Sequence, residues 1–88
     1  MLPGAPKHIV IPGGKVGVDP VLIKIGTTCQ RLVVVNTHGT GTLLLSFDGA
    51  NWLTLPKLGG QFNEDVSISE FSIKGSIADV TVEAYAVV

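Results

Sequence analysis

Cysteine is almost missing from this 88-residue chain, and Cys29 stands alone. A single thiol closes no intrachain disulfide and builds no thiolate metal cluster. It reads as a small, half-buried apolar side chain, and a cytosolic folding environment suits it. Charge is scarce too: Asp, Glu, Lys and Arg make up 15% of the residues, against about 25% in an ordinary soluble domain. The net charge is -1. Lys7, Lys15, Lys24, Arg31, Lys57 and Lys74 are scattered singly, so no basic stripe offers itself to phosphates and no nucleic-acid partner is expected. The longest apolar runs, Leu32-Val33-Val34-Val35 and Leu43-Leu44-Leu45, fall far short of the roughly 20 residues that span a bilayer. No membrane partner is expected either. The opening residues carry Pro3 and Pro6 without an apolar stretch, which is unlike a signal peptide. No segment sustains a helical period.

Catalytic constellations are equally thin. His8 and His38 are the only histidines, and they are far apart in sequence. A hydrolytic site needs a nucleophile beside a base that a third group orients. Ser46 lies in Ser46-Phe47-Asp48-Gly49, unlike a Gly-x-Ser-x-Gly elbow, and reads as an outward strand position. Two histidines and one cysteine make a poor zinc set. Asp19, Asp48, Glu64, Asp65 and Asp79 follow no calcium-loop spacing and read as turn formers. Gly13-Gly14 and Gly39-Thr40-Gly41 precede no helix, so they read as hairpin glycines and not as phosphate loops. No enzyme activity, cofactor or metal is expected.

What the chain does have is strands. Leu43, Leu45 and Phe47 alternate with Leu44 and Ser46, the period of a half-buried strand. Asp48-Gly49 turns the chain, because Gly accepts the positive φ of tight turns. Trp52 to Leu55 resumes extended chain, and Pro56 and Gly59-Gly60 stop it. Further strands are read at residues 7–11, 15–18, 21–25 and 31–36, the last apolar on both faces and so buried on both sides. Residues 61–65 read as a polar connection. Val66 and Ile68 are out of phase with Phe71 and Ile73, which predicts a bulge, a bend or two strands near Glu70. Val80, Val82, Ala84, Ala86 and Val88 give the cleanest alternation. Turn signals recur about every eight to twelve residues, as in a sandwich or barrel. The fold expected is all-β: one compact antiparallel β-sandwich of seven or eight short strands over residues 7–88, jelly-roll-like or immunoglobulin-like. Residues 1–6 form an extended N-terminal arm. A strand at the very end of the chain is an exposed-edge hazard unless covered, and the arm could cover it, on its own subunit or a neighbour.

The chain is 45% hydrophobic, and a domain this small buries only about 60–65% of its unfolded surface. The surplus apolar residues are expected to face a partner. Trp52 is the leading contact residue, since a Trp beside a turn stacks on a sugar ring or anchors an interface. Its structural alternative is a hairpin or core aromatic packing near Phe47 and Leu55. The expected interface set is Leu2, Pro3 and Pro6 of the arm with Asp48, Asn51 and Trp52 of the hairpin.

The phrase Ser46-Phe47-Asp48-Gly49, then Trp52-Leu53-Thr54-Leu55-Pro56 and Gly59-Gly60, resembles small β-sandwich structural proteins of tailed bacteriophage particles. Phe71-Ser72-Ile73-Lys74-Gly75-Ser76 and the Val-rich last strand continue the likeness, which covers the C-terminal half. The resemblance implies a capsid decoration, or cement, protein. Such a protein is made in the host cytoplasm and sits on the virion surface, where it binds the major capsid protein, commonly as a homotrimer. The competing expectation is a tail or head-fibre module that recognises a host-surface glycan through Trp52.

Overall fold

The computed structural model describes residues 6–9, 11 and 14–88, with the side chains of residues 6–8 left aside. Strands dominate because apolar side chains recur at every second position, and each core stripe is the inward half of such an alternation. The order is β1 (Pro6–Ile9), β2 (Lys15–Val16), β3 (Val21–Lys24), β4 (Arg31–Asn36), β5 (Leu43–Ser46), β6 (Leu53–Leu55), β7 (Gln61–Asp65), β8 (Glu70–Gly75) and β9 (Val80–Val87). One sheet runs β1-β9-β4-β7, with β2 also on β9, and the other runs β3-β8-β5-β6. Every pairing is antiparallel. β1 and β2 follow one another along the same flank of β9, meeting residues 84–87 and 80–81 in turn. Counted as one interrupted strand, they make the architecture two packed four-stranded sheets.

That strand order is the jelly roll. All successive strands except β5 and β6 lie in opposite sheets or, for β1 and β2, on one flank. The sequence left jelly-roll and immunoglobulin-like orders open, and the pairing of β9 between β1 and β4 decides between them. The core lies between the sheets. Leu32 and Val34 of β4, Val80, Val82, Ala84 and Ala86 of β9, Leu43 and Leu45 of β5, and Phe71 and Ile73 of β8 are all buried. Phe71 is the largest of the fully buried side chains. The Cα radius of gyration is 12.3 Å, close to the roughly 12 Å of a close-packed chain of this length.

One expectation needs correction, and two that the sequence left open are resolved. Residues 61–65 are a strand, β7, paired with β4 from Arg31↔Asp65 to Val35↔Gln61. Only Phe62 packs against the core, while its four strand mates are exposed. An edge strand with one apolar anchor shows no clean alternation, which is why it reads as a loop. The last strand is not at an edge: β4 covers one flank and β1 the other. The cover is β1 of the same chain, and β1 begins at Pro6, so the sandwich takes in a residue assigned to the arm. Finally, the phase slip near Glu70 is a crossover between two strands. Val66 and Ile68 lie between β7 and β8, where the Ile68 carbonyl accepts from Cys29 N and the Ser69 carbonyl from Ile25 N.

β4 is apolar on both faces as expected, and its outer side is partly covered, with Val35 half-buried. Val33 points outward in register with Tyr85 and Asn63 and is nevertheless buried. Cys29 is buried outright, more deeply than the half-burial expected, with its thiol 3.8 Å from the Val66 carbonyl.

Candidate interaction site

The β5–β6 connection, residues 47–52, is built around two side chains. Ser46 is an outward strand position by parity, as expected, but it is buried, and its hydroxyl donates to Asp48 Oδ1 at 3.0 Å. The same Oγ accepts from the amides of Gly49 at 2.8 Å and Asp48 at 3.3 Å. Asp48 Oδ1 also accepts from the amides of Ala50 and Asn51, both at 2.8 Å, and Oδ2 accepts from Asn51 Nδ2 at 2.6 Å. Gly49 takes φ 77°, the conformation only Gly adopts cheaply. The amide of Asn51, the amide of Ala50 and the side chains of Asn51 and Ser46 together hold the Asp48 carboxyl well below the usual carboxylate range.

The sign of this linkage is definite. A carboxyl whose folded pKa is depressed contributes stability that is fully present above its unfolded value. That contribution is lost as pH falls through the ordinary carboxylate range and below. Asp48→Asn keeps an acceptor oxygen for the turn amides and removes the titration. Urea midpoints followed from pH 7 to pH 2 should therefore fall less steeply for Asp48→Asn than for the wild type. Parallel slopes would show that the turn does not depend on the charge.

Around this turn the structure gathers Phe47, Asp48, Asn51, Trp52 and Leu53 as the lining of an open cavity of about 210 Å³. Asp48, Asn51 and Trp52, expected from sequence as interface residues, thus come together. Leu2 and Pro3 lie outside the described residues, and Pro6 opens β1 opposite Val87. Trp52 is half-buried and is not a core residue. It shares strand parity with Thr54, on the outer side of its sheet, whereas Leu55 points into the core. The Lys74 ammonium lies over its ring, 4.3 Å from the centroid, a cation–π contact. Phe47 packs instead on Phe62, edge to face, with centroids 5.3 Å apart. The expected cluster of Trp52 with Phe47 and Leu55 is therefore split between two faces.

At the other end of β6 the chain makes a second rigid feature. Leu58 N donates to the His38 carbonyl at 2.9 Å, Gly59 N to the Asn36 carbonyl at 2.9 Å and Gly60 N to the Pro56 carbonyl at 3.0 Å. Leu58 is held at φ 61°, a left-handed conformation that costs a non-glycine residue roughly 1–2 kcal/mol. Its side chain is 75% exposed, more than any other large apolar residue described. Val18 and Ile77 are also exposed on loops at this end, where Gly75 N donates to the Gly17 carbonyl. None of these three was expected as a contact residue. Residues 56–60 read only as a stop signal, and a φ at Leu58 is invisible to hydropathy.

Among the described residues no group of three or more His, Cys, Asp or Glu side chains converges as a metal site. His38 acts locally, its Nδ1 accepting from the amides of Gly41 at 2.8 Å and Thr40 at 3.2 Å. Among the described residues no helix is long and apolar enough to cross a membrane. No protein-family model, curated protein or solved structure matches the chain, so the functional reading rests on residues and geometry.

Proposed function

We propose that the chain is a virion structural protein that decorates and stabilises the outer head shell of a tailed bacteriophage. The observation that carries the reading is the surface. Val18, Leu22, Phe47, Leu53, Leu58, Ile77 and Tyr85 are all exposed, and they are spread over both sheet faces and both ends. Scattered in this way they form no single large patch, and what they suit is several small contacts made together. The phrase at residues 46–60 and its continuation at residues 71–76, which resemble phage structural proteins, support the same reading. Viral capsid and lectin domains both use jelly rolls, so the architecture is compatible with the reading without selecting it.

The mechanism is area and geometry, with no chemical step. Each contact of an exposed apolar residue is weak, but copies fixed on a repeating shell engage several neighbours together, and multivalency raises the residence time. The major capsid protein is the partner and the homotrimer the working unit in this proposal.

The rival reading, a glycan-binding fibre module, draws on the cavity with its aromatic wall, carboxylate and amide. The hydrogen bonds weigh against it. Asp48 already accepts from Ser46, Ala50 and Asn51, and the Asn51 amide nitrogen is committed to Asp48. One face of Trp52 lies under Lys74. Quantitative mass spectrometry of purified particles, scaled to the major capsid subunit, tests the proposal. Copies approaching one per capsid subunit are expected. A handful per particle would move the protein to neck, tail or fibre, and absence from the particle would overturn a virion role.

A further inference from the structure

We infer that copies of this chain associate head to tail, with Leu58 of one copy seated in the Phe47–Trp52–Leu53 cavity of the next. The inference takes self-association from the proposed function and adds the surfaces and their polarity.

Three observations carry it. Leu58 is a fixed apolar knob. Its own amide is bonded to the His38 carbonyl, the next two amides are bonded to Asn36 and Pro56, and its φ is one that Gly or Asn would adopt without strain. The loop therefore presents an exposed leucine in a position fixed by backbone hydrogen bonds, which suits a side chain that contacts another copy. The cavity at the opposite end of β6 is the matching hole, with three of its five lining residues large and apolar. Phe47 and Leu53, which form its wall, are 41% and 46% exposed. Third, the charges agree. Lys57, exposed beside the knob, would meet Asp48, exposed at the rim of the hole. The knob and the hole are different surfaces, so the contact is heterologous: it closes into a ring if the rotation per copy permits, and otherwise grows as a filament.

Sedimentation of the full chain across a wide concentration range, at low and at high salt, is the first test. The wild type should self-associate, less so at high salt because Lys57 and Asp48 are exposed. Leu58→Asp should weaken association at least tenfold, while Asn63→Asp, which adds the same charge at an exposed position of β7, should not. Leu58→Asn separates the contact from a structural role: relief of the left-handed strain should raise the thermal midpoint while association falls. Polarity is tested by oxidising Leu58→Cys and Leu53→Cys chains, separately and mixed, with the buried Cys29 left in place. A disulfide-linked dimer should form in the mixture only.

Equal cross-linking of Leu58→Cys alone would overturn the head-to-tail geometry. Association unaltered by Leu58→Asp would overturn the contact. A wild type that stays monomeric throughout would overturn it too, as would a glycan that changes Trp52 fluorescence while the mixed chains fail to cross-link. Shell decoration stands or falls separately, on the copy number per particle, so either idea can fail without the other.

Discussion

Asn36→Ala should cost about 3 kcal/mol or more, a large share of the roughly 4–13 kcal/mol expected for a domain of this length. The Asn36 side chain is fully buried, and Nδ2 donates to the carbonyls of Gly41 and Leu55, both at 2.9 Å. Its Oδ1 accepts from His38 N at 2.9 Å. The backbone of the same residue donates to the Gly60 carbonyl at 2.8 Å and accepts from Gly59 N at 2.9 Å. One residue thus ties the end of β4 to the loop before β5, to the end of β6 and to residues 59–60. Truncation removes the partner of two buried carbonyls and of one part-buried amide, and each buried group so stranded costs about 1–3 kcal/mol. Asn36→Asp is the sharper variant. It keeps the shape but turns an oxygen toward two carbonyl oxygens, so at neutral pH it should be at least as damaging as Ala. Its deficit should narrow as pH falls, because protonation restores one donor. Chemical denaturation at two pH values checks both statements. A midpoint within error of the wild type for Asn36→Ala would mean that water replaces the amide and that the four segments hold together without it.

That hub shows where sequence reading succeeds and where it stops. The strands of β4, β5, β8 and β9 were legible because Leu32 and Val34, Leu43 and Leu45, Phe71 and Ile73, and Val80 to Ala86 each repeat every second residue. The Asp48-Gly49 turn was legible because its chemistry is local: every bond that Asp48 accepts comes from within three residues. Asn36 was not legible. A single Asn at the end of an apolar run is an ordinary strand stop, and its partners at Gly41 and Leu55 are set by how the sheets stack. β7 escaped for a related reason, since only Phe62 reports its inward face. The candidate site divides the same way. Asp48, Asn51 and Trp52 were found through the turn and the lone Trp. Leu58 was missed because its exposure and its φ are properties of a folded loop.

The connection of the site to the hub also bears on how the Leu58 loop would present the proposed anchor. Its three backbone bonds end on Asn36, on His38 and on Pro56, and Asn36 is itself fastened to Leu55 at the end of β6. The cavity at the far end of β6 is fastened by Ser46 and Asp48. β6 is only a short strand, so knob and hole are set at a fixed spacing along one edge of the sandwich. A fixed spacing is what the proposed head-to-tail contact requires, whether it closes into a ring or grows as a filament.

Gly60→Ala should be the second most damaging single change, at about 2–4 kcal/mol, because it overpacks a place that cannot yield. A Cβ on Gly60 would overlap the Pro56 carbonyl oxygen and lie 2.5 Å from the Pro56 nitrogen and Cδ. Those are backbone and ring atoms, which have no alternative rotamer. The residue cannot retreat either, since its amide bonds Pro56 and its carbonyl accepts from Asn36. Relief of the clash must therefore pull on the Asn36 hub, and the two substitutions should not add. The double variant Gly60→Ala with Asn36→Ala should lose clearly less than the sum of the singles, since the first already loosens what the second removes. Gly39→Ala is the matched control: nothing lies within 4 Å of its Cβ position, so it should leave the midpoint nearly unchanged. Thermal and urea unfolding of the four variants beside the wild type decides the matter. Strict additivity would show that the 56–60 loop and the Asn36 hub are independent, and the rigidity assigned to Leu58 would then have to come from the Leu58-to-His38 and Gly60-to-Pro56 bonds.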